Sequence, residues 1–311
     1  MSVPTLGNIT PTLASTSVSD ESFLLGGDLL IRRIGLGTMR LTDATGDGTH
    51  AGARIWRAPD DRSAAVALLR HAVDAGMQLI DTADAYALGQ GEELIAEALH
   101  PYADGVVIAT KVGNLRPSPT EWVPLGNPAY LKQQVELSLR RLRVETIDLL
   151  QLHRLDPAYP IADQVGALAE LREQGKIRHI GLSEVTVAEL EEARRVAPIA
   201  AVQNLYNLTV RDHDVVIDHT AAEGIAFIPF FPLAIGEHTR PSGVVQHVAD
   251  QLGVLPGQVA LAWLLYRARN ILPIPGTAST VHLDQNVAAG NLRLTAEQYE
   301  MIASSSGLDA N

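Results

Sequence analysis

Residues 106–153 contain the clearest structural pattern in the sequence and read VVIATKVGNLRPSPTEWVPLGNPAYLKQQVELSLRRLRVETIDLLQLH. This stretch begins and ends with continuous apolar runs, VVIAT and IDLLQL, which are typical of strands covered on both faces of a parallel sheet. Between these runs, Asn127-Pro128 places a capping side chain before a proline at the first helical position. Apolar residues then recur at helical spacing, at Leu131, Val135, Leu139 and Leu142. The stretch therefore predicts a strand, a helix and a second parallel strand.

The same unit repeats along the chain. We predict eight strands: Ile34–Gly37, Gln78–Asp81, Val106–Lys111, Thr146–Leu152, Ile177–Leu182, Ala200–Gln203, Ala226–Phe230 and Ile271–Ile274. The ends of the intervening helices are marked by capping residues and by closing glycines: Asp60 or Asp61, Thr186 with Glu189, Thr295 with Gln298, Gly76, Gly175 and Gly224. Eight alternating units predict an α/β fold, a (β/α)8 TIM barrel that forms a single domain over residues 21–311. An open doubly wound sheet is the alternative.

The segments outside this repeat have their own predicted roles. Residues 1–20 are rich in Ser, Thr and Pro and are expected to form a disordered tail. Phe23–Leu25 and Leu29–Ile31 flank Gly26-Gly27-Asp28 and predict a β-hairpin that could cover the floor of the barrel. Long connections follow strand ends and are therefore expected at the C-terminal face, where active-site loops lie: Leu41–Arg57, Asn114–Gly126 and Leu233–Ser242.

Composition excludes several classes of function. The net charge of −12 argues against nucleic acids and anionic membranes as partners, because both are polyanions. The chain has no cysteine, so disulfides and thiolate chemistry are excluded, and the histidines show no metal-ligand spacing. The N-terminus lacks a secretory signal, and no apolar run is long enough to span a bilayer, so a cytoplasmic protein without a metal is expected.

Polar side chains follow the predicted strands at the end where a barrel carries its active site. They are Thr38, Asp81, Lys111, His153, Ser183, Gln203 and Thr277, with Tyr86 on the loop after Asp81. A buried Lys–Asp pair beside a tyrosine would lower the pKa of that tyrosine and make it a general acid. A neutral histidine could orient a carbonyl oxygen, and the hydride would have to come from a cofactor. A glycosidase built on Asp81 and Asp84 is the alternative, but it leaves Tyr86, Lys111 and His153 without a role.

From about Leu29 to Leu308 the chain resembles the aldo-keto reductase family. The resemblance lies in LIDTADAYALGQGEELIAEAL (79–99), VVIATKVG (106–113), IDLLQLHRLDP (147–157), GKIRHIGLSEVT (175–186), VQNLYN (202–207) and LPIPGTASTVHLDQN (272–286). It implies that Tyr86 is the general acid, that Lys111 lowers its pKa and that Asp81 holds Lys111. It also implies that His153 orients the substrate carbonyl.

The resemblance further implies a nicotinamide cofactor bound in an extended form. The implied cofactor-binding residues are Thr38, Met39, Ser183, Glu184, Gln203, Phe230, Pro232, Leu233, Gly276, Thr277, His282, Gln285 and Asn286. Four positions depart from the common pattern. Glu184 replaces an Asn, Phe231 replaces a Ser, and Gly276 and His282 replace a Lys and an Arg that often bind the adenosine 2′-phosphate. NADPH is expected, with NADH as the alternative.

The resemblance places this chain near a bacterial branch that includes enzymes similar to pyridoxal reductase, so pyridoxal is the leading substrate among small carbonyl compounds. Trp56, Asn114, Trp122 and Arg154 are expected to line the substrate pocket. For Arg154, a surface ion pair with Asp156 is the alternative. A regulatory, cofactor-binding role like that of potassium-channel β subunits is the alternative function, and a monomer is slightly favoured.

Overall fold

The computed structural model describes residues 21–42, 55–234 and 243–305. The predicted tail, most of the loop Leu41–Arg57 and most of the loop Leu233–Ser242 lie outside these residues. Seven parallel strands form one sheet: β3 (Leu36–Gly37), β4 (Leu79–Asp81), β5 (Val107–Val112), β8 (Ile147–Leu152), β9 (Ile177–Ser183), β10 (Ile199–Gln203) and β11 (Ala226–Phe227). Two short antiparallel pairs accompany it: β1 (Ser22–Leu25) with β2 (Leu29–Arg32), and β6 (Asn114–Leu115) with β7 (Val123–Pro124).

The strands pair in chain order, β3 to β4 to β5 to β8 to β9 to β10 to β11, with no reversal. A doubly wound sheet reverses its order at a switch point, so that alternative is wrong. Residues 272–273 link the two edges of the sheet, because Leu272 N donates to Phe227 O at 2.8 Å and Gly35 N donates to Pro273 O at 3.0 Å. The chain is thus an α/β fold of the TIM-barrel type.

Three predicted strands are too long. Ile34–Gly37 is reduced to Leu36–Gly37, Ala226–Phe230 to Ala226–Phe227, and Ile271–Ile274 forms only a single bridge, at Ile271. Prolines give the physical reason for the last two, because Pro229 and Pro273 have no N–H to donate to a ladder.

Helices cover the outside of the sheet. They are α1 (Arg62–Asp74), α2 (Gln90–Leu99), α3 (Pro128–Leu142), α4 (Ile161–Glu173), α5 (Val187–Arg194), α6 (Asp214–Ala222), α7 (Gly243–Leu252), α8 (Pro256–Arg267), α9 (Thr280–Ala289) and α10 (Ala296–Ser305). The predicted caps of α1, α3 and α5 are confirmed, since Asp61, Asn127 and Thr186 each accept a backbone N–H of the first turn. No single helix among the described residues is long and apolar enough to cross a membrane; the bent pair of α7 and α8 passes by length and composition alone.

Alternation along the strands divides the core in two. In β5, Val107 and Ala109 point into the barrel, whereas Ile108 packs under the helices. The inner cluster also contains Leu25 and Ile31 of the β1–β2 pair, which therefore packs against the interior of the sheet. With the lower end of the barrel filled by apolar side chains, the polar residues at the strand ends lie at the opposite end.

Candidate active site

A buried ion pair lies at the C-terminal ends of two neighbouring strands. Lys111 Nζ is 2.6 Å from Asp81 Oδ1, and both side chains are at most 3% exposed. The same ammonium donates to Thr82 O at 2.8 Å. The second carboxylate oxygen, Oδ2, accepts from Gln151 Nε2 at 3.2 Å and from Gln203 Nε2 at 2.9 Å. Because both oxygens of Asp81 have donors, the carboxylate is held in one orientation beneath the site.

The environment of Lys111 keeps it charged. Burial alone would lower the pKa of its ammonium, but the charge of Asp81, the nearby Tyr86 and the hydrogen bonds to both raise that pKa overall. The ammonium lies 5.4 Å from the centroid of the Tyr86 ring. Lys111 is therefore a fixed positive charge beside the phenol.

The pKa of Tyr86 was expected to be lowered, and the structure gives the opposite net direction. Burial raises the pKa of its phenol, and this effect outweighs the lowering by Lys111, so the net direction is upward rather than downward. The phenol is therefore protonated at neutral pH and can give a proton. The lysine limits the energy cost of the phenolate that remains afterwards.

His153 is neutral in this environment. Burial lowers the pKa of its imidazole well below the ordinary value of 6.5, and the positive charges of Lys111, Arg154 and Arg116 lower it further. Its Nδ1 is buried and has no hydrogen-bond partner among the described residues. The imidazole is thus able to offer a hydrogen bond to a carbonyl oxygen without adding a charge.

Asp81, Tyr86 and His153 line a cavity of about 420 Å³. Three of the rings around it meet edge to face: the ring centroid of Trp122 is 6.4 Å from that of Tyr86 and 5.9 Å from that of His153. The sequence-predicted residues that line the cavity are Met39, Asp81, Tyr86, Asn114, Trp122, His153, Arg154, Ser183, Gln203, Phe230, Pro232, Leu233 and Gly276.

Other predicted site residues do not line the cavity. They are Thr38, Trp56, Lys111, Glu184, Thr277, His282, Gln285 and Asn286. Thr38 is buried and donates to Asp81 O at 2.9 Å, and Lys111 Nζ is 5.4 Å from the centroid of the Tyr86 ring. Trp56 contacts Arg116, and Thr277 precedes α9, which carries an exposed His282 in its first turn.

Glu184 uses one carboxylate oxygen on the chain itself. Its backbone is left-handed, with φ of 57°, and its Oε1 accepts from Leu205 N at 2.6 Å. Gln203 likewise uses its Nε2 inside the barrel, on Asp81 and Gln151, which leaves its Oε1 without a partner among the described residues. Gln203 can therefore offer an acceptor to a ligand amide.

The surface ion pair considered for Arg154 is wrong. Asp156 accepts from the backbone N–H groups of Gly126 and Ala158 instead. Arg154 Nη1 donates to Ser183 Oγ at 3.0 Å, and its guanidinium carbon lies 5.8 Å from the Phe230 ring centroid. Arg154 consequently brings a positive charge to the cavity.

Two arginines at the site were missed from the sequence. Arg40 lines the cavity, and its side chain has no hydrogen bond or ion pair with any part of the chain that the structure describes. Arg116 is 6% exposed and lies directly on the Trp122 ring. The weak signals for them were Arg40 in GTMR after the first predicted strand and Arg116 as the only arginine of the second long loop, directly before Pro117.

Strained backbone is concentrated near this cavity. Among the described residues, seven other than glycine have a positive φ: Ile55, Ala87, Leu88, Arg143, Glu184, Phe231 and Ala234. All except Arg143, the residue after α3, either line the cavity or lie within two residues of one that does. Such conformations persist only where the surrounding structure holds them.

The chain is similar to known oxidoreductases in sequence and in fold. Residues 33–306 match the Aldo/keto reductase family, and the chain belongs to that family of oxidoreductases. It is 41% identical to a pyridoxine 4-dehydrogenase of Escherichia coli over 90% of this chain and 96% of that protein. It is 43% identical to an uncharacterized oxidoreductase of Schizosaccharomyces pombe over 93% of this chain and 92% of that protein. A crystal structure of an aldo/keto reductase from Klebsiella pneumoniae in complex with NADP and acetate superposes with a TM-score of 0.74 at 27% identity, covering 91% and 94% of the two chains.

Proposed function

We propose that this protein is an NADPH-dependent carbonyl reductase that converts the aldehyde of pyridoxal to an alcohol. The observation that carries the proposal is the protonated Tyr86 beside a fixed Lys111 charge and a neutral His153 on one cavity. Support for the substrate comes from the relative named pyridoxine 4-dehydrogenase, and support for the cofactor from the NADP complex of the Klebsiella protein.

In the proposed mechanism the nicotinamide supplies the hydride when it is bound. Tyr86 gives its phenolic proton to the carbonyl oxygen, and Lys111 stabilises the phenolate that is left. Asp81 keeps Lys111 in place, and His153 orients the same oxygen as a neutral donor. Phe230, Ser183 and the Oε1 of Gln203 would hold the nicotinamide.

The cavity suits a planar, hydroxylated aldehyde. Trp122, Tyr86 and His153 provide ring surfaces, and the buried Asn114 Oδ1 has no partner among the described residues, so it can accept a hydrogen bond from a hydroxyl group. Arg154 can pair with the ionised ring hydroxyl of pyridoxal.

The test is NADPH oxidation, followed by its absorbance, with pyridoxal and a panel of aliphatic, aromatic and sugar aldehydes. Turnover of pyridoxal with the highest kcat/KM is expected. If other aldehydes were reduced and pyridoxal were not, the assignment of pyridoxal as the substrate would be wrong. Tight NADPH binding with no turnover of any carbonyl would favour a regulatory role instead.

We further propose that Arg40 binds the adenosine 2′-phosphate. Gly276 has no side chain that could bind a phosphate, but Arg40 lies beside it and supplies a cation there. A Cβ built at Gly276 would be 3.3 Å from Arg40 Cγ. The Arg40 side chain thus occupies the space that a longer residue at 276 would need. No ion pair within the described residues neutralises Arg40, which suits an anionic ligand.

Replacing Arg40 with glutamine is expected to weaken NADPH binding by roughly 10- to 100-fold, because a hydrogen bond to a charged group is worth about 1.5–3 kcal/mol. NADH binding should change far less, since NADH lacks the phosphate. Fluorescence titration with both cofactors measures this, with Arg62→Gln, from an exposed ion pair, as control. Equal losses for the two cofactors would contradict the assignment to the 2′-phosphate.

The pH profile of reduction is expected to be flat across the neutral range. His153 stays neutral to well below its ordinary pKa of 6.5, and Tyr86 stays protonated to above its ordinary value of 10.0. As pH falls, activity should drop only where His153 gains a proton, below its ordinary value. The measurement is kcat/KM against pH with benzaldehyde, which does not ionise. The prediction of a flat profile would be contradicted if kcat/KM fell with a midpoint near the ordinary histidine pKa of 6.5 and this fall were absent in His153→Gln.

A further inference from the structure

We propose that Arg116 is a positioning residue that fixes Trp122 as one wall of the cavity and thereby makes the enzyme selective for planar aromatic aldehydes. The proposal rests on the carbonyl reduction proposed above. Arg116 does not line the cavity, and its contacts include four backbone carbonyls and two indole rings.

Arg116 first holds its own loop. It lies between β6 and β7, and its side chain turns inward. Nε donates to Glu121 O at 3.0 Å, and Nη2 donates to Pro119 O at 2.9 Å. These two bonds fix the turn that immediately precedes Trp122.

The third nitrogen ties this loop to two other segments. Nη1 donates to Ile55 O at 3.3 Å and to Ala85 O at 3.4 Å. Ala85 is the residue before Tyr86, and Ile55 lines the cavity. One guanidinium therefore joins the Trp122 loop to the backbone that carries the proposed proton donor.

The flat face of the same group holds the indole. The guanidinium carbon lies 3.7 Å from the Trp122 ring centroid and 5.5 Å from that of Trp56. A guanidinium can donate in its plane and stack through its face at once, and a lysine cannot do both. Trp122 is 37% exposed and lies on a loop, so the stack on Arg116 is a main restraint on its orientation.

A fixed indole favours ring-shaped substrates. Trp122 meets Tyr86 and His153 edge to face, so an aromatic aldehyde presented to those two groups would pack against it. A small aliphatic aldehyde would reach Tyr86 and His153 with little contact to the indole. Loss of Arg116 should therefore affect the two substrate classes differently.

The experiment compares Arg116→Met with a matched control, Arg211→Met. Arg211 is also stacked on a tryptophan, with its guanidinium carbon 4.7 Å from the Trp263 ring centroid, and also donates to backbone carbonyls, those of Leu208 and Ala303. Trp263 belongs to the core cluster that packs under the helices, and it does not line the cavity. The control therefore removes a similar interaction from another part of the fold.

In Arg116→Met, the ratio of kcat/KM for benzaldehyde to kcat/KM for propanal is expected to fall by about 3- to 10-fold, which is the usual effect of losing one aromatic contact. Most of this fall should come from a higher KM for benzaldehyde. In Arg211→Met the ratio should stay the same. Arg116→Lys keeps the charge but not the planar fork and should lose most of the selectivity too. An unchanged ratio in Arg116→Met, or an equal fall in Arg211→Met, would overturn the proposal.

Fluorine NMR of protein labelled with fluorotryptophan provides a readout that needs no turnover. The chain has three tryptophans, so three resonances are expected, and Trp122→Phe identifies one of them. Arg116→Met should shift and broaden the Trp122 resonance and leave that of Trp263 in place. An unaltered Trp122 resonance would overturn the positioning role. Absence of turnover in every variant, with the NMR result as expected, would instead count against the proposed function alone.

Discussion

Replacing Tyr86 with phenylalanine is expected to lower kcat by about 10²- to 10⁴-fold, the usual contribution of a positioned general acid. The ring would remain in edge-to-face contact with Trp122 and His153, so the shape of the cavity is kept. Only the proton that reaches the carbonyl oxygen is removed. The measurement is steady-state kcat with pyridoxal, together with the Kd for NADPH, which should remain near that of the unmodified protein.

The control for this substitution is Tyr102→Phe. The Tyr102 hydroxyl donates to Leu142 O at 2.8 Å, away from the cavity, so its removal should leave kcat unchanged. If Tyr86→Phe retained kcat within a few fold of the control, another group would have to be the proton donor.

Replacing Lys111 with methionine is expected to reduce both activity and stability. The Asp81 carboxylate would remain buried with only the amides of Gln151 and Gln203 as partners, and breaking a buried pair on one side costs about 3–5 kcal/mol in free energy of unfolding. Tyr86 would also lose the charge that favours its phenolate, so kcat should fall as well. Urea unfolding and kcat measure the two effects separately.

A double substitution separates the structural part from the chemical part. Asp81→Leu together with Lys111→Met removes both charges and should recover much of the lost stability, because an apolar pair of similar volume avoids the unpaired buried charge. Activity should not recover. Recovery of kcat in the double variant, or a fully stable single variant, would contradict the role given to the pair.

The barrel was predictable because local signals agreed with each other. Apolar strands, the cap at Asn127 and the helical spacing of Leu131 and Val135 all belong to one repeated unit, and the structure contains that unit in sequence order. The predicted strand at residues 271–274 failed for a local reason, since Pro273 limits its hydrogen bonding. Strand ends also indicated the site, because parallel strands bring their C-terminal ends to one edge.

Other features depend on three-dimensional balance and could not be predicted from the order of residues. The net pKa direction of Tyr86 depends on how much burial outweighs Lys111, which only the structure gives. Arg116 donates to backbone carbonyls of three separate segments. Every residue has a backbone carbonyl, so the sequence does not indicate which carbonyls an arginine will contact. The hydrogen bond from Leu205 N to Glu184 Oε1 joins two loops that are 21 residues apart, and no local pattern indicates it.

The left-handed residues beside the cavity bear on how this protein could change under selection for heat resistance. Each such residue costs of order 1–3 kcal/mol, a sum that the helices and inner strands must offset. Relaxing Glu184 or Phe231 would recover some of that energy, but it would move the loops that shape the pocket. Substitutions that raise the free energy of unfolding without loss of activity should therefore be found most readily in the outer helices. Stabilising substitutions in the loops around the cavity should lower activity, because they would change its geometry.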